Sequence, residues 1–144
     1  MDEINFYSRD KEYDWLSNFA RYPQVVDGKT YKTNEHYFQS QKTLNAQVSE
    51  WIASAPTPYL AMCAGRNLRK GIEFRPDWEQ VKAEVMLKGL RAKFQNPELA
   101  QKLLATGDAV LHENSPTDMI WGKKGQDLLG KLIMKVRDEL RHAK

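Results

Sequence analysis

The residues best placed to do chemistry lie at 33–42, TNEHYFQSQK, where a glutamate, a histidine and a lysine occur close together. Thr33 is typical of a helix N-cap, which puts Glu35 in the first turn, where the helix dipole favours an ionised carboxylate. An ionised Glu35 is suited to act as a general base or to stabilise a cation. On the same helical face, Gln39 and Lys42 can point with Glu35 into one pocket.

The same stretch also has a purely structural interpretation. Glu35 can serve only to stabilise the start of the helix through its dipole, and the local pattern by itself favours this interpretation. His36 lies roughly a third of a turn from the Glu35 face. We expect His36 to be a hydrogen-bonded structural residue rather than a catalytic acid.

A second pair of candidates, Asp118 and Trp121, lies in the turn-rich segment HENSPTDMIWGKKG at 112–125. Loops held by a rigid frame are where binding and catalytic residues are concentrated. An acid beside an indole indicates a second carboxylate facing a stacked ring. The alternative is that Asp118 caps a turn after Pro116 while Trp121 fills the core.

An α+β fold that is predominantly α-helical is expected to position these residues, as a single domain over 1–144. INFYS at 4–8 alternates like a short strand, and the Asp27-Gly28 pair predicts an antiparallel β-hairpin near the N-terminus. Helical periodicity and capping signals predict helices over about 33–44, 48–54, 59–67, 77–96, 97–106 and 126–141. We expect 69–77 and 112–125 to be irregular, and Gly107 to end a helix in the left-handed conformation.

Composition narrows the class of protein. A hydrophobic fraction of 41% over 144 residues indicates a folded globular chain. The formal net charge of +3 argues against a dedicated nucleic-acid-wrapping protein, but it permits a cationic pocket for a small phosphorylated ligand.

Cysteine and histidine usage and the N-terminal segment bear on cofactors and location. The single Cys63 cannot form an intramolecular disulfide, and three histidines without a cysteine cluster do not predict zinc. We therefore expect neither a metal nor another cofactor. The acidic N-terminal segment lacks the features of a signal peptide, and no apolar run approaches the length of a membrane span, so we expect a cytoplasmic protein that does not enter membranes.

Several stretches together resemble the YbiA-like family, also called the NADAR superfamily. They are WLSNF at 15–19, DGKTYKTNEHYFQSQK at 27–42, RPDWEQVKAEVM at 75–86, LRAKFQNPELAQKLLATGD at 90–108 and SPTDMIWGKKGQDLLGKLIMKVRDEL at 115–140. The resemblance extends in order from about Phe6 to Arg141 and implies the YbiA-like fold. It also implies N-glycosidase activity on early intermediates of riboflavin synthesis, such as 5-amino-6-(5-phosphoribosylamino)uracil, in which ribose 5-phosphate is joined to an aminopyrimidine.

Cleavage of a ribosyl C–N bond passes through an oxocarbenium-like sugar, so a site needs a carboxylate, a grip on the base and an anchor for phosphate. With the resemblance, the functional interpretation of Glu35 is preferred to the structural one. The candidate catalytic residues are Glu35 and Asp118. The candidate substrate-binding residues are Trp15, Asn18, Gln39, Lys42, Arg66, Trp78, Trp121 and Gly122.

Each binding candidate has a competing structural interpretation. Asn18, beside Ser17, can hydrogen-bond a ribose or base edge, or can be a turn residue. Trp78 suits core packing as well as a pocket rim. Arg66 and Arg75, with Lys42, are the cationic candidates for phosphate, although exposed arginines are usually only solvated.

One segment departs from the family pattern. Members commonly carry a longer loop after the WG pair, and the segment WGKKGQDLLG is short, with Asp127 where Asn is expected. Two other functions stay open: removal of ADP-ribose from modified guanine bases, with nucleic acid as a partner only in that case, and non-catalytic binding of ADP-ribose or a nucleotide. The sequence predicts no oligomeric state.

Overall fold

The computed structural model describes residues 2–9 and 11–143. In that part of the chain the helices are α1 (Asn34–Ser40), α2 (Ala46–Ala53), α3 (Pro58–Arg66), α4 (Trp78–Lys93), α5 (Pro97–Ala105) and α6 (Leu128–His142). The strands are β1 (Glu3–Phe6), β2 (Gln24–Val26), β3 (Lys29–Tyr31) and β4 (Val110–Glu113). The expected α+β class with predominant helix is confirmed.

The N-terminal hairpin forms as the sequence predicts. Strands β2 and β3 pair antiparallel, with Gln24 opposite Tyr31. Both turn residues have positive φ, 51° at Asp27 and 81° at Gly28, which is the backbone that tight hairpin turns require.

A parallel strand pair near the site was missed by the sequence analysis. Strand β1 pairs with β4, so that Ile4 lies opposite Leu111 and Phe6 opposite Glu113. The sequence analysis placed His112 and Glu113 in an irregular loop and expected only antiparallel pairing. That expectation is wrong because β4 is short and its partner lies at the other end of the chain, where local periodicity carries no information about pairing.

Helix α1 begins as predicted and ends early. The Thr33 hydroxyl accepts a hydrogen bond from the His36 backbone N–H at 3.1 Å, which confirms the N-cap. The helix ends at Ser40 rather than near Leu44 because the next carbonyls turn towards Arg75. The Arg75 backbone N–H donates to the Lys42 carbonyl at 2.8 Å, and its guanidinium donates to the Gln41 carbonyl at 3.2 Å.

Helix α4 begins without the expected side-chain cap. Asp77 precedes the helix, but its carboxylate accepts a charge-assisted hydrogen bond from Arg75 at 2.7 Å instead of capping backbone N–H groups. Arg75 therefore links the residues that follow α1 to the residue that precedes α4. The other helices match the predictions to within a few residues.

Helix α1 is the central element, since all seven of its residues are buried against α2, α3 and α4. The largest fully buried core side chains are Phe6, Leu16, Ile52, Met86, Leu90, Phe94, Leu99, Leu103, Leu111 and Ile133. No helix within the described ranges is both long enough and apolar enough to cross a membrane. Polar side chains on a fully buried helix require hydrogen-bond partners or a cavity, and α1 carries several.

Candidate functional site

One face of α1 opens into a cavity of about 860 Å³. This volume falls in the range of small-molecule sites, roughly 300–1,000 Å³. Most of the wall comes from residues 7–9 after β1, the loop at 17–19, α1 with Lys42, α3, and residues 113–121 at and after the end of β4, and α4 and α6 contribute Met86 and Leu129. The sequence candidates that line the cavity are Asn18, Glu35, Gln39, Lys42, Arg66, Asp118 and Trp121.

Glu35 is held at the cavity wall by its neighbours. Glu35 is only 6% exposed, and its backbone N–H donates to the Asn18 carbonyl at 3.0 Å. The Gln39 amide donates to Glu35 Oε2 at 2.7 Å. The loop at 17–19 and the second turn of α1 therefore fix the position of this carboxylate.

Burial governs the ionisation of Glu35. Burial raises the pKa of Glu35 above its ordinary value, while the Gln39 hydrogen bond and the positive charges of Lys42 and Arg66 act in the opposite direction. The sequence analysis considered only the helix dipole and so missed this rise. A carboxylate that has lost much of its hydration is strongly stabilised by positive charge developing on a bound ligand.

Lys42 and Arg66 are two of the cationic residues that line the cavity with Glu35, and Arg9 is another. Burial lowers the pKa of Lys42, and the negative charge of Glu35 opposes that shift. The Lys42 ammonium lies 5.7 Å from the centroid of the Phe38 ring and 5.9 Å from that of Trp78, so it makes cation–π contacts with both rings. Arg66, at the end of α3, is exposed at the cavity mouth. This arrangement provides positive charge for an anionic ligand.

Gln39 has one hydrogen-bonding atom left over. Its Nε2 is committed to Glu35, while Oε1 is buried and has no partner among the described residues. Gly65 of α3 makes room for this amide, because a Cβ at position 65 would lie 2.0 Å from Gln39 Oε1. The Gln39 amide is therefore held between the Glu35 carboxylate and α3.

Asp118 and Trp121 combine both interpretations offered by the sequence. Both line the cavity, and Asp118 Oδ1 also accepts the backbone N–H groups of Ile120 at 3.0 Å and Trp121 at 2.9 Å. The Trp121 ring meets Phe38 edge to face, with centroids 5.3 Å apart. Asp118 thus shapes the loop that presents Trp121 to the cavity.

Asn18 lines the cavity from within a buried amide network. Its Oδ1 accepts from Asn34 Nδ2 at 2.8 Å, and its Nδ2 lies 3.6 Å from the Met86 sulfur. The network fixes the orientation of the Asn18 amide.

Three candidates lie outside the cavity lining. Trp15 is 6% exposed, and its indole N–H donates to the Glu12 carbonyl at 3.0 Å. Trp78 is equally buried and packs on Phe38 with centroids 5.1 Å apart. Gly122 is a buried turn residue whose carbonyl accepts the backbone N–H of Asp127 at 2.9 Å. The structure shows packing and turn contacts for these residues, and their roles in substrate binding stay predictions.

His36 occupies the structural position that the sequence analysis expects. It is fully buried, with Nδ1 2.8 Å from the Thr33 hydroxyl and Nε2 2.9 Å from the Ala55 carbonyl. A carbonyl only accepts, so Nε2 carries the hydrogen and Nδ1 accepts from Thr33. Burial lowers the pKa of His36, in keeping with a neutral ring that joins α1 to the end of α2.

The sequence analysis missed Glu113, the last residue of β4, which also lines the cavity. Its Oε2 accepts the Ser115 backbone N–H at 3.1 Å. Burial raises the pKa of Glu113 to about 7, and the negative charges of Asp118 and Asp127 add to the rise. The β-prone Val110-Leu111 pair shortly before the turn-forming Asn-Ser-Pro was the signal that could have placed this carboxyl at a strand end.

Asp127, which stands where the family pattern has Asn, adopts a left-handed backbone conformation. Asp127 precedes α6 in the left-handed conformation, with φ 57° and ψ 37°. Asparagine and aspartate are the non-glycine residues that enter this region most readily. The Asp127 carboxylate also lies 2.5 Å from His112 Nδ1, which ties the start of α6 to β4.

Comparisons with known proteins agree with this architecture. The NADAR domain matches residues 5–141. The N-glycosidase YbiA of Shigella boydii is 47% identical over 142 residues, covering 95% of this chain and 88% of that protein. A riboflavin biosynthesis protein of Vibrio vulnificus is 37% identical, with 95% of this chain matching 38% of that protein. The NMR structure of Escherichia coli YbiA superposes with a TM-score of 0.87 at 45% identity, covering 97% of this chain and 85% of that one.

Proposed function

This chain belongs to the NADAR family, and we propose that it is an N-glycosidase, a hydrolase acting on N-glycosyl bonds. The observation that carries the proposal is the buried Glu35 carboxylate, fixed in the wall of a cavity large enough for a nucleotide-sized ligand. The substrate is a base joined through nitrogen to ribose 5-phosphate, as in the aminopyrimidine intermediates of riboflavin synthesis. The resemblance to a protein named for riboflavin biosynthesis supports that choice.

Glu35 acts on the sugar. As the C1′–N bond lengthens, positive charge develops on the ribose ring, and the nearly dehydrated carboxylate stabilises it. Glu35 then accepts a proton from the water that adds to C1′. The Gln39 hydrogen bond and the charge of Lys42 favour the ionised form of Glu35 and so oppose the effect of its burial.

The remaining wall residues bind the rest of the substrate. Lys42 and Arg66 attract the 5-phosphate, and an arginine guanidinium can hold phosphate in a bidentate manner. Gln39 keeps the Glu35 carboxylate in place beside the sugar through its amide donor. Trp121, held edge to face against Phe38, packs against the base.

Direct assay of bond cleavage tests the proposal. Purified protein is incubated with 5-amino-6-(5-phosphoribosylamino)uracil, and released ribose 5-phosphate is measured. Wild type releases the sugar phosphate, and Glu35→Gln lowers kcat by about 100-fold or more. Glu98→Gln is the matched control, because Glu98 also lies in the first turn of a helix but is exposed and outside the cavity. No release by wild type, or equal rates for wild type and Glu35→Gln, would contradict the proposal.

The same assay identifies the leaving group. A parallel incubation with DNA carrying ADP-ribosylated guanine separates an aminopyrimidine from a guanine leaving group. Release of ADP-ribose with no reaction of the pyrimidine substrate would reassign the substrate class. Saturable binding of ADP-ribose by calorimetry without any product would instead indicate a non-catalytic module.

We also place this activity in the cytoplasm. The free thiol of Cys63 suits a reducing compartment. Fluorescence microscopy of a tagged chain tests this placement, and a signal confined to the cell envelope would contradict it.

A further inference from the structure

Glu113 is a second carboxyl in the cavity wall that the proposed roles leave unused. It ends β4, is partly buried, and faces the cavity that Glu35 lines from α1. The charged groups that act on it are all carboxylates: Asp118 in the loop after β4, Asp127 at the start of α6, and Glu35. Negative neighbours favour the neutral, protonated form of a carboxyl group.

Burial also raises the pKa of Glu35, but its polar neighbours differ from those of Glu113. The Gln39 amide donates to its carboxylate, and the charges of Lys42 and Arg66 favour its ionised form. In Glu35 the amide donor and the two cations oppose the effect of burial, whereas in Glu113 the charged neighbours add to it. Such a pair is suited to divide the work of base and acid in a single reaction.

The position of the Glu113 carboxyl is fixed by the turn that follows it. The Ser115 backbone N–H donates to Oε2 at 3.1 Å, so in the neutral acid Oε2 is the acceptor and the proton resides on Oε1. Gly122 leaves the space this arrangement needs, because a Cβ there would lie 2.9 Å from Glu113 Oε2 and 2.5 Å from the Asp118 carbonyl. These contacts give the donor a defined direction.

We propose that Glu113 is the general acid that protonates the leaving nitrogen, a role that rests on the N-glycosidase function proposed above. The C1′–N bond breaks and its electron pair goes to nitrogen, which receives the Glu113 proton. Water adds to C1′ and gives a proton to Glu35. The products are the amino base and ribose 5-phosphate, and transfer of the proton from Glu35 to solvent and of a solvent proton to Glu113 restores the starting state.

The assignment predicts a pH profile. An acid must be protonated before it can donate, and the pKa of Glu113 is raised to about 7 by its burial. The value of kcat/KM for wild type therefore falls tenfold per pH unit above about pH 7. Glu113→Gln removes that alkaline limb, and Glu113→Asp retains it at a lower rate.

Leaving-group dependence separates a proton donor from a merely structural residue. The two substrates are the phosphoribosylaminopyrimidine, whose nitrogen needs a proton to leave, and 4-nitrophenyl ribofuranoside 5-phosphate, whose leaving group needs little help. Glu113→Gln is expected to lose about 100-fold or more in kcat on the first substrate and less than about tenfold on the second. Glu35→Gln is expected to lose activity on both.

Each outcome has a distinct meaning. Equal losses of Glu113→Gln on both substrates, or an unchanged alkaline limb, would overturn the assignment, and circular dichroism of each variant checks that it folds. If Glu113→Gln does not fold, Glu113→Asp decides, since loss of its alkaline limb also rejects the role. A wild type inactive on both substrates rejects the proposed function itself, whereas an active wild type matched by Glu113→Gln rejects only this inference.

Discussion

Lys93 gives a quantitative test of how burial shapes this molecule. It lies in α4, is 2% exposed, and its ammonium donates to the Ser17 carbonyl at 2.8 Å. Burial lowers the pKa of Lys93 from 10.5 to about 7. The single donated bond fixes the loop that also carries Asn18 into the cavity wall.

The magnitude follows from proton linkage. Between pH 7 and 10.5 the unfolded chain binds more protons at this site than the folded chain, so the free energy of unfolding rises with pH. The full difference is about 5 kcal/mol, and the part gained between pH 7 and 9 is about 2 kcal/mol. Above about pH 10 the opposite contribution of Tyr37 enters, because burial raises the pKa of its phenol, so the useful window ends at pH 9.

Urea unfolding of wild type and Lys93→Met at several pH values measures this difference. The free energy of unfolding of wild type, minus that of Lys93→Met, is expected to rise by about 2 kcal/mol from pH 7 to 9. Lys135→Met, on the exposed side of α6, serves as the matched control and should leave the slope unchanged. A difference that does not change with pH would refute the claim that the Lys93 charge is confined in the folded interior.

Two further substitutions test the geometry of the site. Gly65→Ala places a methyl group 2.0 Å from the present position of Gln39 Oε1 and so displaces the amide that holds Glu35. The value of kcat/KM for sugar phosphate release should therefore fall about tenfold. An unchanged value would show that the amide moves freely. Thr33→Ala removes both the N-cap of α1 and the hydroxyl that bonds His36, so urea unfolding should show a loss of about 1–2 kcal/mol in the free energy of unfolding. Thr33→Ser keeps a hydroxyl and, as the control, should retain most of the wild-type stability. Equal stabilities of Thr33→Ala and wild type would contradict the cap assignment.

Local signals in the sequence were sufficient for the elements that depend on local chemistry. The Asp27-Gly28 turn, the Thr33 cap and the left-handed Gly107, with φ 62°, follow from backbone preferences of single residues. Glu35 and Gln39 share one face of α1 as helical spacing predicts, and Lys42 lines the same cavity although the helix ends before it. Their chemical roles remain proposals.

Features that depend on distant contacts were not predictable in the same way. The pairing of β4 with β1 joins segments from the two ends of the chain, and without it Glu113 could not be recognised as a cavity residue. Local patterns also could not show that Arg75 would be used by Asp77 and Gln41, or that burial would outweigh the helix dipole at Glu35. Each of these depends on packing that only the complete fold creates.

The pairing of β1 with β4 also determines at which stage of synthesis the cavity can form. The walls of the cavity come from positions near 7, 18, 35, 66 and 118, so a nascent chain still lacking β4 on the ribosome has neither Glu113 nor the Trp121 wall. The cavity therefore cannot be complete until nearly the whole polypeptide has been synthesised.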